Sequence, residues 1–266
     1  MVIGILYIAI GPYSKFWDGF YESCQKCFLP DIKKEYIVFT DQVIKVFPSV
    51  KVCYQKNLGW PGNTLFRFQM FLKHKEELKK YDYLFFFNGN TEFKNEITSK
   101  EFLPSRDESF LICLSWHIYA QRSLDTYPYE RNPASTAYIP YGIGESYYQG
   151  GMNGGRMKEY ICLIEECDLQ IRKDEENGIV ACSHDESHIN KYLLSRCIKL
   201  VGTQYGCPQE WAEASTAKII FRDKNLVLGK RYMRDMKKEI SLFKLLCHKL
   251  KTLCAIVQDI FSCKEG

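Results

Sequence analysis

The sequence predicts an α/β fold built on a doubly wound, mostly parallel sheet. Strand-like runs alternate with helix-like stretches in the first part of the chain, as in parallel sheets with crossover helices. The run 83–87 is apolar without interruption, which is typical of a strand covered on both faces. It ends in Asn88-Gly89-Asn90, and ligands of open α/β sheets bind just beyond the carboxyl ends of such strands. We therefore predict that Asn88 and Asn90 stand at a ligand site and that Gly89 lets the backbone approach the ligand.

The strands follow from short apolar runs bounded by turn residues. The first run ends before Gly11-Pro12, and the second closes at Asp41. The predicted strands are 2–8, 35–40, about 50–54, 83–88 and about 110–114.

The helices follow from apolar residues at helical spacing and from their end signals. Pro30-Asp31 ends the first helix, and Asn63 or Thr64 is a cap candidate for the second, after turn residues at 57–63. Ser183 or Asp185 is a cap candidate for the last helix. The predicted helices are about 13–29, about 65–80, about 156–173 and one that begins near 185.

A glycine-rich stretch at 147–155 suits neither a stable helix nor a good strand interior. We predict a loop whose backbone approaches a ligand closely, with a flexible loop as the alternative.

Composition and motifs exclude several classes of protein. The chain of 266 residues is 46% hydrophobic and 26% charged, which is an ordinary globular composition. The net charge of +4 is too small to argue for nucleic acid as a partner. Neither GxGxxG after the first strand nor GxxxxGK[ST] occurs, so dinucleotide and P-loop nucleotide binding are unsupported.

The cysteines and histidines do not predict a metal or redox site. No secretion signal is evident, so we expect a cytoplasmic protein whose twelve cysteines stay reduced. Cys24 and Cys27 form a CxxC pair that falls on the predicted buried face of the first helix. His184 and His188 have zinc-like spacing, but Glu186 does not take the place that HExxH requires, which argues against a metalloprotease.

Several sequence blocks, in order, resemble glycosyltransferase family six, which contains the histo-blood-group A and B transferases, the α-1,3-galactosyltransferases and bacterial relatives. The resemblance covers about 3–225 and is most specific in the block HDESHINKY at 184–192. It implies a GT-A fold, a UDP-sugar donor and retaining transfer that forms an α-1,3 linkage. The other matching blocks are 39–42, 83–90, 129–131, 137–140 and 147–155.

The resemblance also implies roles for individual residues. By this resemblance, Glu186 aligns with the family's acidic residue nearest the anomeric carbon. Asp185 aligns with the carboxylate that binds donor-sugar hydroxyls. Gln149 and Gly151 match the positions that discriminate galactose from N-acetylgalactosamine, and Lys224 matches a lysine that closes over the diphosphate. The remaining donor-site residues implied are Ile8, Ala9, Ile10 and Tyr13 around the uridine, Arg67, Asn88, Asn90, Gly150 and Arg222. Those implied on the acceptor side are Ser115, His117, Ser183 and Trp211.

The chain departs from the family pattern in ways that bear on metal and acceptor. Asn88-Gly89-Asn90 stands where mammalian members have Asp-x-Asp, and neutral amides are poor ligands for Mg²⁺ or Mn²⁺. We therefore expect no metal cofactor, with Lys224 and Arg222 supplying the positive charge. Ser183 replaces a tryptophan, and the acceptor-side segment at 115–118 also differs, so the acceptor stays open.

We expect a retaining transferase that moves N-acetylgalactosamine from UDP-GalNAc to a galactose-ended glycan. Fucosylated and lipid-linked forms of that acceptor both remain open. UDP-galactose is the alternative donor, and a non-catalytic nucleotide-sugar or glycan-binding protein is the alternative from another class. As a carboxylate, Glu186 is suited either to act as the nucleophile or to stabilise an oxocarbenium ion.

The segment 230–266 is expected to be a helical tail outside a catalytic domain at 1–229. Its apolar residues recur as one helical stripe, and it is rich in lysine and arginine. Such a helix suits peripheral contact with the inner face of an anionic cytoplasmic membrane. Packing on the domain itself, or on a second copy in a homodimer, is the alternative.

Overall fold

A computed structural model describes residues 1–104, 111–115, 123–194, 196–212 and 216–229. The predicted tail at 230–266 and His117 lie outside the described residues.

The centre of the fold is a seven-stranded sheet with the order β3-β2-β1-β4-β7-β6-β8. All neighbouring strands are parallel except at β7, which runs antiparallel to both β4 and β6. The strands of this sheet are β1 (Val2–Ile8), β2 (Lys33–Thr40), β3 (Val50–Tyr54), β4 (Tyr83–Phe87), β6 (Leu111–Ser115), β7 (Tyr148–Arg156) and β8 (Ile198–Val201). A small second sheet has the order β5-β10-β9, with β5 (Thr91–Phe93), β9 (Cys207–Pro208) and β10 (Ile219–Phe221).

Helices cover both faces of the large sheet, so two hydrophobic clusters lie on its opposite sides. The α-helices are α1 (Trp17–Cys27), α2 (Gly59–Leu65), α3 (Arg67–Leu72), α4 (Lys75–Leu78), α5 (Ser99–Phe102), α6 (Met157–Glu176), α7 (Asp185–Leu193) and α8 (Lys224–Leu228). This arrangement confirms the predicted doubly wound, mostly parallel sheet and is that of a GT-A-like fold.

The apolar run at 83–87 is confirmed as a fully buried strand. All five residues of β4 are buried, and they alternate between the two clusters. Phe85 and Phe87 pack in the cluster that contains α1, while Leu84 and Phe86 pack in the one that contains α3 and α6. A strand with helices on both faces needs apolar side chains at every position.

The expectation of a loop at 147–155 was wrong, because Tyr148–Arg156 forms β7, an interior strand of the large sheet. Its glycines are what allow the close pairing: a Cβ added to Gly154 would lie 2.4 Å from the Leu84 carbonyl oxygen and 2.3 Å from Phe85. Gly154 pairs with Phe85 in the strand register. Contact with a neighbouring strand overrides the poor strand propensity of glycine.

The predicted helix at 65–80 is divided into α2, α3 and α4, and α2 begins inside the predicted turn at 57–63. Asn63 does not cap a helix end, since its side-chain oxygen accepts from the Leu58 amide inside this loop. The cap prediction for the last helix was also wrong. His184 precedes α7 without a side-chain cap, and the Ser183 amide donates to Ser187 Oγ.

The CxxC pair lies on the buried face of α1, as predicted. Cys24 is fully buried and Cys27 is 7% exposed. Burial raises the pKa of the Cys24 thiol to about 12, so this thiol is not a reactive group near neutral pH.

Among the residues described, no helix is both long enough and apolar enough to cross a membrane.

Candidate active site

A cavity of about 550 Å³ opens at the carboxyl ends of β1 and β4, where the fold predicts a ligand site. β1 contributes Ile8 and the following Ile10, and β4 is followed by Asn88. The other predicted site residues that line it are Tyr13, Arg67, Gly150, Gly151, Ser183, Asp185, Glu186 and Lys224.

A buried ion pair joins α3 to the start of α7. Arg67 Nη2 lies 2.5 Å from Asp185 Oδ2, and the two side chains are 5% and 2% exposed. Arg67 Nη1 also donates to the Gly150 carbonyl oxygen at 2.9 Å, which connects the pair to β7. Desolvation raises the pKa of Asp185 to about 6, although Arg67 opposes this shift.

Both carboxylate oxygens of Glu186 accept hydrogen bonds from the segment around the start of β7. The Gly150 amide donates to Oε2 at 2.5 Å, and the Tyr147 hydroxyl donates to Oε1 at 2.6 Å. A side chain at position 150 would crowd this approach, since an added Cβ would lie 3.2 Å from Oε2, and Gly150 has none. Desolvation raises the pKa of Glu186 to about 7, against the lowering effect of these two donors.

A second pair of hydrogen bonds fixes α7 against β7. The Asn190 side chain donates to the Tyr148 carbonyl oxygen and accepts from the Tyr148 amide, both at 2.9 Å. The two acids at the first turn of α7 are thereby held at a constant distance from the strand.

Lys224, on the short helix α8, also lines the cavity. Its ammonium group is 5.5 Å from the centre of the Tyr13 ring. Burial lowers the pKa of Lys224, and in the part of the chain that the structure describes no carboxylate forms an ion pair with it. A desolvated cation that lines a cavity is suited to bind an anionic ligand.

The segment 88–90 supports the cavity through its backbone and through one amide side chain. The Asn88 amide donates to the Gly151 carbonyl oxygen at 2.7 Å. Asn90 Nδ2 donates to the Arg222 carbonyl oxygen at 2.8 Å and thus holds the segment that leads to Lys224. Gly89 is packed against the Tyr13 ring, which an added Cβ would meet at 2.7 Å. The close neighbour of Gly89 is therefore a side chain of the protein, where the sequence suggested a ligand.

These residues do not fit a divalent cation held by carboxylates. The Asn88 side-chain oxygen accepts from the Gly89 amide, and Asn90 is turned toward Arg222. In the described ranges, no group of three or more histidine, cysteine, aspartate or glutamate side chains could hold a metal ion.

Several predicted site residues lie away from the cavity lining. Ala9 is fully buried, and Gln149 is 4% exposed and turned toward Gly151. Arg222 forms an ion pair with Glu92 at 3.3 Å instead of facing the cavity beside Lys224. Asn90 and Ser115 are also outside the lining, as is Trp211, which is 52% exposed.

The sequence reasoning missed Tyr147, Trp60 and the role of His184. The Trp60 ring lies edge to face with the His184 ring at 5.0 Å, and both line the cavity. His184 has φ 55°, an unusual conformation for a residue with a side chain. The position of Trp60 in a turn-like segment gave no indication of this contact, which depends on tertiary structure.

The chain matches the family model for Glycosyltransferase family 6 over residues 1–222. It is 38% identical over 227 residues to the O-antigen biosynthesis glycosyltransferase WbnI of Escherichia coli, a match that covers 84% of this chain and 95% of that protein. It is 32% identical over 202 residues to histo-blood group ABO system transferase 1 of Rattus norvegicus, covering 72% of this chain and 56% of the relative. It is 28% identical over 217 residues to globoside alpha-1,3-N-acetylgalactosaminyltransferase 1 of Gallus gallus, covering 77% and 61%.

The GT-A-like sheet and the cavity at its carboxyl edge agree with the class that the family match shows, a glycosyltransferase, and that class implies a nucleotide-sugar donor and a glycan acceptor. The extent of the family match then makes the assignment specific: the chain belongs to glycosyltransferase family 6. It spans nearly the whole bacterial relative but less than two thirds of these two vertebrate relatives.

Proposed function

We propose that this protein is a retaining hexosyltransferase that moves N-acetylgalactosamine from UDP-GalNAc to a galactose-ended glycan, in α-1,3 linkage and without a divalent metal. The observation that carries the proposal is one cavity lined both by the fixed carboxylate of Glu186 and by the partly buried cation of Lys224. A nucleotide sugar has the matching polarity: its diphosphate is anionic, and its anomeric carbon becomes positive as the glycosidic bond breaks.

The uridine diphosphate end of the donor is proposed to lie between Tyr13 and Lys224. Tyr13 offers an aromatic face for the uracil ring, and Lys224 stabilises the negative charge that develops on the leaving diphosphate. Arg222 is assigned a supporting part, because Glu92 already neutralises its guanidinium group.

The transferred sugar is proposed to lie over Asp185, Glu186 and Gly150. Asp185 binds sugar hydroxyls while Arg67 balances its charge. Glu186 acts on the anomeric carbon from the face opposite the diphosphate. Glu186 can displace UDP to form a covalent glycosyl-enzyme, from which the acceptor hydroxyl then displaces Glu186, and these two inversions give retention. Alternatively, Glu186 stabilises an oxocarbenium ion as UDP departs, and retention follows because the acceptor attacks from the face that UDP leaves.

UDP-galactose is a second candidate donor, and a specific contact favours it. The absence of a side chain at Gly151 leaves room for an acetamido group, which supports N-acetylgalactosamine. However, the Gln149 side-chain oxygen lies 2.6 Å from the position of a Gly151 Cβ and occupies part of this room. A galactose donor does not require Gln149 to move.

The acceptor proposal rests on the family alone. A relative in Escherichia coli is an O-antigen biosynthesis glycosyltransferase, which suggests a lipid-linked glycan as one form of the acceptor. Contact of 230–266 with a membrane, or with a second copy, is proposed from sequence only. Truncation after Gly229, followed by sedimentation with anionic vesicles at low salt and by measurement of solution mass, distinguishes the two.

The test of function is release of UDP from UDP-GalNAc and UDP-galactose, with and without a panel of galactose-ended glycans, in excess EDTA. We expect acceptor-dependent UDP release and an α-linked product that survive EDTA. Binding of UDP-sugar without any turnover would support the non-catalytic alternative. Turnover that requires Mn²⁺ would contradict metal independence.

A further inference from the structure

Tyr147 is a buried phenol next to the two acids, and its ring is held independently of them. It is 3% exposed and packs with Tyr127 and Tyr129, with ring centres 6.3 and 5.6 Å away. Because these contacts fix the ring, its hydroxyl position does not depend on Glu186.

The Tyr147 hydroxyl and the Gly150 amide bind different oxygens of the same carboxylate. The hydroxyl is 2.6 Å from Glu186 Oε1, and the amide is 2.5 Å from Oε2. The hydroxyl also lies 3.2 Å from Ser183 Oγ, which lines the cavity. Two donors that bind separate oxygens fix the orientation of the carboxylate plane. A carboxylate that is held at one oxygen only can still rotate.

The charges around Glu186 make the hydroxyl important for its ionisation. Desolvation and the neighbouring Asp185 raise the pKa of Glu186, while Tyr147, the Gly150 amide and Arg67 lower it. Burial raises the pKa of Tyr147 far above neutrality, so its hydroxyl remains a donor. The other titratable neighbours are Cys182, whose pKa is raised to about 11, and His184 on the cavity wall.

We infer that Tyr147 is a positioning residue, which keeps the Glu186 carboxylate ionised and correctly oriented for reaction through its hydroxyl hydrogen bond; this inference rests on the proposed role of Glu186. The hydroxyl stabilises the anion relative to the acid, so its loss favours protonation of Glu186. Tyr147 itself need not touch the donor sugar.

The decisive variant is Tyr147→Phe, which removes the hydroxyl and keeps the ring in its aromatic cluster. A hydrogen bond to a charged group is worth roughly one pKa unit or more. We therefore expect the acid limb of the kcat–pH profile to move up by about one pH unit, with kcat about 5-fold lower at pH 7 and partial recovery at higher pH. The donor KM should change little.

Tyr129→Phe is the matched control, because Tyr129 belongs to the same cluster but its hydroxyl donates to the Ser146 carbonyl oxygen at 2.7 Å. It removes a buried hydroxyl without touching Glu186, and its pH profile should overlay that of the wild type. If Tyr147→Phe also keeps the wild-type profile, Tyr147 is only a packing residue and the inference is wrong.

A measurement without turnover separates this inference from the proposed function. Carbon-13 NMR of glutamate-labelled protein, with Glu186→Gln to assign the resonance, gives the titration midpoint of Glu186 directly. An upward shift of that midpoint in Tyr147→Phe supports the inference even if no transferase activity is found. An unchanged midpoint overturns it, whatever the activity.

Discussion

The acidic and the cationic parts of the cavity lining are built in opposite ways. At the acidic end, Arg67, Tyr147 and Gly150 approach Asp185 and Glu186 from separate parts of the chain, and hydrogen bonds fix them before any ligand binds. In the cationic part, Lys224 stands on a five-residue helix with an aromatic ring as its neighbour and with no carboxylate paired to it in the described chain. The comparison suggests that the acidic end is preorganised for chemistry, while the cationic end gains its counter-charge from the ligand.

The largest effect is expected at the acidic end. Glu186→Gln should lower kcat by ~10³-fold or more while the affinity for UDP stays nearly unchanged, because the carboxylate is proposed to act mainly in the transition state. Single-turnover kinetics and calorimetric titration with UDP measure the two quantities. Turnover close to that of the wild type would remove Glu186 from the mechanism.

A change at the cationic end should affect both binding and rate. Lys224→Ala should lower kcat by about 10²-fold to 10³-fold and also weaken UDP binding, since the diphosphate carries charge before and during reaction. Lys224→Arg should retain part of the kcat and part of the affinity for UDP. Lys79→Ala, which removes an exposed lysine paired with Glu76, is the control and should match the wild type. Unchanged UDP affinity in Lys224→Ala would contradict the proposed diphosphate site.

A change at Gly151, where the sugar is proposed to bind, should show a smaller effect, on donor choice. An added Cβ at Gly151 would meet the Gln149 and Phe221 side chains and would reduce the room proposed for the sugar. Gly151→Ala should therefore lower kcat/KM for UDP-GalNAc relative to UDP-galactose by ~10-fold, and Gln149→Ala should raise that ratio. The two ratios are measured with one acceptor. A shift of both variants in the same direction would show that room above Gly151 does not set the preference.

The smallest effect concerns stability and its pH dependence. The pKa of Glu186 is raised from 4.5 to about 7, so the folded protein holds an extra proton between these values. The free energy of unfolding consequently falls as pH rises through this window, and the raised pKa of Asp185 acts in the same direction.

Glu186→Gln should remove the contribution of Glu186 to this fall in the free energy of unfolding. Its amide nitrogen can donate to the Tyr147 oxygen while its carbonyl oxygen accepts from Gly150. We expect the Tm of Glu186→Gln to be a few degrees above that of the wild type at pH 8 and nearly equal to it near pH 4. The size follows from a Tm shift of about 2–4 °C for each kcal/mol of stability. Equal Tm values at pH 8 would show that the Glu186 carboxylate carries no such cost.

Much of the fold could be predicted because its strands are short, apolar and bounded by turn residues. β1 and β3 have the predicted limits, and β4 is the buried strand that the run 83–87 indicated. β7 could not be predicted, since a glycine-rich strand has poor local propensity and exists only because β4 and β6 approach it closely. The prediction of a helix cap at Ser183 or Asp185 failed for a related reason: tertiary contacts determine which hydrogen bonds form at the start of α7.

The sequence by itself determined the doubly wound sheet, the family and the two adjacent acids, because periodic burial and a specific motif are local properties of the chain. Only the tertiary structure decided which residues meet those acids. Arg67 contacts Asp185 and Tyr147 contacts Glu186, although each is distant in sequence from its partner, because α3, β7 and α7 pack together. It also separated Arg222 from Lys224, which are neighbours in sequence, because one forms an ion pair with Glu92 and the other lines the cavity. Hydrogen bonds and ion pairs act over a few ångströms in space, so which groups they join depends on packing that the order of residues alone does not reveal.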